Sequence, residues 1–299
     1  MRKTSVYLTD ELKEALASAA TQAGRSEAEF IRGAIELAVQ QARAGSAASP
    51  APPERRQGPL LVGVGVGPGA PDLLTLRARA AITSADTVVV AAISQDAISR
   101  AEAIARASVE PFRVQRLEID ISGDDAERSA SLDAAAITLV ERLDRGEVVA
   151  FLTLGDPSLF SVFPRLAAAV RRQRPAAPIE VVPGIAAFQE LAAASHTVVG
   201  DEHESIRIVN VSRDPGEVAE LVDDTLGRPD EALVLYRGGR AVPAIAKRLT
   251  EAGRDRGAVV GEQLGLPGGR CAPVAEHLDQ SASYLACLIA PPARPGAAS

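Results

Sequence analysis

The sequence predicts an α/β protein, and three observations carry that prediction. From Pro59 onward, short apolar runs alternate with stretches of helical period. Residues 42–58, "ARAGSAASPAPPERRQG", have no hydrophobic period and separate this body from a small module at 1–41. Of 299 residues, 46% are hydrophobic and 24% charged, enough apolar material for two packed domains.

In the N-terminal module, "KTSVYLT" alternates with period two, placing Val6 and Leu8 on one face and Lys3, Ser5 and Tyr7 on the other. Leu12, Ala15, Leu16, Ala19 and Ala23 then recur at helical spacing, and Gly24 is placed to end that helix. "SEAE" at 26–29 reads as a capping box that starts a second helix, striped by Ile31, Ala34, Ile35 and Ala38. A lone strand and about forty residues cannot enclose a core, so the unit is expected to dimerise. "RKTSVYLTDELKEALASAATQAGRSEAEFIRGAIE" resembles the ribbon-helix-helix family. That resemblance implies an intertwined dimer whose strands enter a DNA major groove, with Lys3, Ser5 and Tyr7 facing the bases and the Ser26 helix end near a phosphate. Against DNA binding stands the charge of 1–41, five basic and six acidic residues for a net of −1. DNA binding and dimerisation alone both stand as readings.

In the body, strands are expected at 60–66, 86–90, 148–153, 179–182, 206–211, 232–236, 257–261 and 284–290, with helices between most of them. Leu132, Ala135, Ala136, Leu139, Val140 and Leu143 form one helical stripe, and Leu166, Ala169 and Val170 another. The body is expected to comprise α/β domains at 59–200 and 201–290, with a disordered tail at 291–299.

"LLVGVGVGPGAPDLL" at 60–74 tests as a nucleotide loop and fails. A dinucleotide fingerprint beginning at Gly63 and Gly65 puts its third glycine on Pro68, and the acidic residue due some twenty positions on is replaced by "VVVAAIS". A phosphate loop requires a Lys after the glycines, and none follows. What remains is a rigid turn at a strand's carboxyl end, either a tight βα connection or one wall of a ligand site. "FLTLGDPSLFS" at 151–161 and "VVPGIAAF" at 181–188 occupy the same kind of position. Asp156 there is a helix cap or a ligand contact. Three such turns in one body point to a shared cleft.

"VGVGPGAPDLLTLRARAAITSADTVVV", "VAFLTLGDPSLFS", "EVVPGIAAF" and "LVLYRGG", in this order, resemble the tetrapyrrole (corrin/porphyrin) methyltransferases over about 59–290. The resemblance implies two α/β domains, S-adenosylmethionine in the cleft between them, a homodimer, and a tetrapyrrole substrate among the precorrins, cobalt-precorrins and uroporphyrinogen III. It assigns to the methyl donor Pro68, then Leu154, Gly155 and Asp156, the small pair Ala186 and Ala187, and Arg237, where the family often carries Met or Lys. Within the family, the doubled "GVGVGPG" and "FLTLGDPSLFS" are most like the branch that methylates precorrin-2 at C20. Ala70 stands where the family usually has Asp, and Val162 follows Ser161 where Thr is common.

Because such substrates carry many carboxylates, Arg77, Arg237 and Arg240 are candidates to pair with them, and Gly67 and Gly69 are candidates for contact beside Pro68. Methyl transfer from a sulfonium needs positioning more than acid–base help, so no general base is expected, with Asp156 and Glu262 the only carboxylates considered. His196, His203 and His277 are not at metal-ligand spacing. A net charge of −7 disfavours a broad nucleic-acid surface. Cys271 and Cys287 are expected to be buried reduced thiols. With no signal segment and no membrane span, the chain is expected in the cytoplasm. A regulator that senses tetrapyrrole or donor and binds DNA through 1–41 is the alternative, as is a relative that methylates another position or substrate.

Overall fold

The computed structural model describes residues 9–22, 24–33, 35, 57–92, 94, 96–109, 112–120, 125–211 and 215–294. The expected strand with Lys3, Ser5 and Tyr7, the linker at 42–56 and the tail beyond 294 lie outside them. The chain divides into two compact units, Met1–Glu54 and Arg55–Ser299.

In the first unit, α1 (Asp10–Gln22) ends as its sequence predicts. Gly24 takes φ 62°, and the Arg25 N–H returns to the Ala20 carbonyl at 3.0 Å, the Schellman arrangement. The next helix, α2 (27–33), opens on the expected capping box. The Glu29 N–H donates to Ser26 Oγ at 3.3 Å, and the Ser26 N–H donates to Glu29 Oε2 at 3.1 Å. These bonds from Ser26 hold the Glu29 carboxyl below its ordinary pKa.

The second unit carries two five-stranded sheets. The first joins β1 (Leu60–Gly65), β2 (Thr87–Ala92), β3 (Val114–Glu118), β4 (Val148–Thr153) and β5 (Ile179–Val182), all parallel, in the order β3-β2-β4-β1-β5. Both faces are covered, so β1 and β4 are buried at every residue and read as unbroken apolar runs. Helices α5 (Asp125–Asp144) and α6 (Phe163–Gln173) pack on one face against Leu61, Val89, Val149 and Phe151. Helices α3 (Leu76–Ser84) and α4 (Arg100–Ser108) cover the other face, over Val62, Val64, Val88 and Val90.

The second sheet joins β6 (Ser205–Asn210), β7 (Glu231–Tyr236), β8 (Val259–Glu262), β9 (Arg270–Pro273) and β10 (Cys287–Ala290) in the order β6-β7-β10-β8-β9. Only the β6–β7 pair is parallel. Helices α8 (Pro215–Leu226) and α9 (Val242–Glu251) cover one face. The other face receives α7 (Ala187–Ser195): Leu191, fully buried, packs with Val234, Cys287 and Ile289. Packing therefore groups α7 with the second sheet, although it follows β5 in sequence and lies before the boundary expected at 200.

Several expectations are corrected. Strands β3 and β9 were not foreseen; both are sheet edges whose residues are mostly half-exposed or exposed, so they lack the apolar signature of the inner strands. The start of the C-terminal tail is held rather than free. Arg294 forks onto Glu204 at 2.8 and 2.6 Å, and the Pro291 carbonyl accepts from Arg254 at 3.0 Å. Cys271 is exposed on β9, while Cys287 is buried in β10 as expected. Among the described residues, no helix is long and apolar enough to cross a membrane.

Candidate active site

Strands β4, β1 and β5 are neighbours in register, with Gly65 opposite Thr153 and Val64 opposite Val182, so their carboxyl ends emerge together. The three Pro/Gly turns are therefore one structure. Gly67 and Gly155 exchange backbone hydrogen bonds, at 2.8 Å from the Gly155 N–H and 3.3 Å from the Gly67 N–H. Asp156 joins the second turn to the third: Oδ1 accepts from the Ser158 N–H at 2.7 Å and Oδ2 from the Gly184 N–H at 2.9 Å. The main chains meet so closely that a Cβ on Gly65 would lie 2.5 Å from the Gly155 carbonyl oxygen and 2.6 Å from Gly184 N. Gly63 serves packing within the sheet, since its missing side chain makes room for the buried ring of Phe163.

These turns open onto a cleft of about 450 Å³, within the usual range for a small-molecule site. Its walls include Pro68, Leu154, Gly155, Asp156, Ala186 and Ala187 from the first turn cluster and Tyr236, Arg237 and Leu285 from the second sheet. A third side comes from the end of β2, Ala91 and Ala92, and the start of α4, Ser99 to Ala101. Gly155 adopts φ 69°, and the atom nearest to a Cβ built there is 3.9 Å away, so the space open beside it is cleft space.

One clasp crosses from sheet to sheet. Arg237 (φ 59°) donates through Nη2 to the Phe160 carbonyl at 3.1 Å, and Phe160 itself sits at φ 49°. Left-handed backbone at two bulky residues in one contact is strained and is held by its surroundings. The Phe160 ring lies 5.5 Å from that of Tyr236, whose hydroxyl oxygen accepts from the Phe188 N–H at 3.2 Å in the first turn of α7. Burial, foremost, raises the Tyr236 pKa well beyond its ordinary range, so this hydroxyl stays protonated.

Each residue assigned to the methyl donor from sequence (Pro68, Leu154, Gly155, Asp156, Ala186, Ala187 and Arg237) lies on the cleft wall. Of the five candidates for substrate, Arg237 is on the wall, and Gly67, Gly69, Arg77 and Arg240 are not. Gly67 is taken up by the bridge to Gly155, and Gly69 by close approach to the Leu264 carbonyl, which a Cβ would meet at 1.8 Å. Arg77 on α3 and Arg240 after β7 are exposed away from the lining. Of the two carboxylates considered, Asp156 is occupied by backbone donors, and Glu262 lies off the wall with Oε1 accepting from the Ser283 N–H at 2.5 Å. His277 is buried against Arg270 at 3.3 Å, while His196 and His203 are exposed. Sequence reasoning missed Ser99, Arg100, Phe160 and Tyr236. One signal was present: "SRAE" at 99–102 has the S-x-x-E form of a helix start, and the Glu102 N–H does donate to Ser99 Oγ at 3.2 Å.

The model of the tetrapyrrole (corrin/porphyrin) methylases matches residues 60–275. A cobalt-precorrin-2 C(20)-methyltransferase of Salmonella typhimurium is 30% identical over 71% of this chain and 86% of its own length. A precorrin-2 C(20)-methyltransferase of a Sinorhizobium species is 29% identical over 77% of this chain and 94% of its own. Among solved structures, a uroporphyrin-III C-methyltransferase of Thermus thermophilus, complexed with S-adenosylhomocysteine, shares the fold with a TM-score of 0.51 at 21% identity, covering 77% of this chain and 91% of its own.

Proposed function

The chain belongs to the tetrapyrrole methylase family, and on that premise we propose that it transfers a methyl group from S-adenosylmethionine to C20 of precorrin-2 or cobalt-precorrin-2 in cobalamin synthesis. The observation that carries this reading is the cleft itself: three side-chain-poor turns, fastened through Asp156, face a clasp from the second sheet across about 450 Å³. The bare Gly155 and the small Ala186 and Ala187 suit a bulky nucleoside lying against main chain.

S-Adenosylmethionine, held along Pro68, Leu154, Gly155, Ala186, Ala187 and Arg237, would supply an activated methyl whose transfer replaces a ring hydrogen, leaving S-adenosylhomocysteine and a proton released to solvent. The protein's part is positioning. Asp156, committed to two N–H donors, fixes the turns rather than taking a proton, and protonated Tyr236 holds the start of α7 where Ala186 and Ala187 meet the cleft. Arg237 closes the opposite side through Phe160. The body divides into two α/β domains expected to meet near residue 200, with α7 packed on the sheet of the second and the cleft between them, and the enzyme acts in the cytoplasm. Incubating the protein with precorrin-2 and donor and weighing the product tests this; gain of one methyl is expected, and an unchanged mass overturns the reading.

The N-terminal unit, with its two capped helices, supports a ribbon-helix-helix that pairs two copies of the chain. Its net charge of −1 favours dimerisation over DNA contact. Sedimentation of the full chain against a chain lacking 1–41 tests the first, and a low-salt DNA shift compared between the native chain and Lys3→Ala tests the second.

A further inference from the structure

We propose that Arg100 is the cleft's receptor for a ligand carboxylate. Among the described residues, three charged side chains line the cleft, namely Arg100, Asp156 and Arg237. Asp156 is satisfied by the Ser158 and Gly184 N–H groups, and Arg237 reaches the Phe160 carbonyl. Arg100 has no hydrogen-bond or ion-pair partner among the described residues, and it is exposed at the cleft. The lining beside it includes Ala91, Ala92, Ile98 and Ala101, which offer a guanidinium nothing to pair with.

The residue is also firmly presented. Arg100 is the first residue of α4, and two positions on, Glu102 is fully buried and pins the helix. Its carboxylate accepts from Arg116 Nε at 2.8 Å, Arg116 Nη2 at 2.7 Å and Arg106 Nε at 2.9 Å. Arg116 lies on β3, so α4 is tied to the sheet edge and its first turn is held at the cleft. A planar guanidinium on a fixed helix suits forked pairing with a carboxylate.

The assignment rests on the proposed methyl transfer, whose two reactants both carry carboxylates: the side chains of the tetrapyrrole and the amino-acid end of the donor. The test uses the full-length protein and its Arg100→Ala and Arg100→Lys variants. S-Adenosylhomocysteine and 5′-methylthioadenosine, the nucleoside without the amino acid, are titrated by calorimetry, and KM for precorrin-2 is measured at saturating donor.

Loss of a charge-assisted pair is expected to weaken one ligand roughly ten- to a hundredfold in Arg100→Ala, with partial recovery in Arg100→Lys. A rise in precorrin-2 KM with both nucleosides unaffected assigns the carboxylate to the tetrapyrrole. A loss for S-adenosylhomocysteine with 5′-methylthioadenosine unaffected assigns it to the donor. Equal losses for both nucleosides, or changes below about twofold for every ligand, overturn the proposal. A native protein that binds no S-adenosylhomocysteine and methylates nothing overturns the functional reading, and this assignment with it.

Discussion

Replacing Glu102 by Gln perturbs the most enclosed charge among the described residues. The carboxylate is fully buried and accepts three guanidinium hydrogen bonds, of 2.7, 2.8 and 2.9 Å. An amide keeps one acceptor oxygen and turns an N–H₂ donor toward the Arg116 fork, which donates at both of its points of contact. Breaking a buried pair in this way costs about 3–5 kcal/mol. Arg116 and Arg106 are 22% and 41% exposed and can turn to water, which places the expected loss near the lower bound, about 3 kcal/mol. For a unit of this size that corresponds to a fall in Tm of roughly 6–12 °C. Burial alone would raise the Glu102 carboxyl, but the hydrogen bonds from Arg116 and Arg106 outweigh it and hold its pKa below the usual range. A lowered folded pKa stabilises above the unfolded value, about 4.3, and that stability is lost as pH falls through the folded value. The Tm gap between native and variant is therefore full at pH 7 and closes in acid, where protonation makes the native side chain resemble the amide. Thermal unfolding across this range decides it; a shift under about 2 °C at pH 7, or a gap that stays constant into strong acid, refutes the reasoning.

Three further outcomes are expected. Gly155→Val forces a β-branched residue to φ 69° and puts its methyls into the cleft, so S-adenosylhomocysteine should bind at least about tenfold more weakly by calorimetry. Asp156→Ala strips the acceptor from two N–H groups, and since the exposed Ser158 N–H can turn to water the loss is dominated by the Gly184 N–H at about 1–3 kcal/mol; Tm should fall by roughly 2–12 °C, with Asp156→Asn between it and the native protein. A thiol reagent should modify exposed Cys271 in the folded protein and reach Cys287 only after unfolding, because burial seals that sulfur in β10 and pushes its pKa up to about 12; two fast-reacting thiols in the native state would contradict the packing of the second sheet.

The inner strands were legible because burial on both faces leaves a continuous apolar record: β4 falls on the expected residues, and β1 and β7 differ by one. The edge strands β3 and β9 leave no such record, "VQRLE" and "RCAP" carrying more polarity than their hydrogen bonding suggests, whereas the edge strand β5 was still found at 179–182. Periodicity shows that α7 has an apolar face but not which sheet covers it. The turns were legible as a set, since Pro68, Asp156 and Ala186 mark three strand ends whose adjacency follows from an α/β sheet. Arg100 was not, because a single arginine at a helix start resembles any solvated one until the fold brings it to a cleft. Nor was the clasp, whose partners Arg237 and Phe160 are 77 residues apart. The glycines were ambiguous for a physical reason: a missing side chain makes room equally for a ligand, for the Phe163 ring or for another backbone.

Where the first turn meets the loop after β8, backbone touches backbone. A Cβ at Gly69 would strike the Leu264 carbonyl, and one at Gly265 would lie 2.2 Å from Ala70 N. Such a joint has no rotamers through which to yield. Side-chain packing absorbs a small displacement by repacking; here the 264–265 loop abuts the main chain of the turn that carries Pro68 on the cleft wall. Ala70 is part of that joint. A Cβ on Gly265 would stand 2.8 Å from the Ala70 Cβ, so at the position where the resemblance places a carboxylate this chain has a close backbone seam between the two sheets with little clearance beside it.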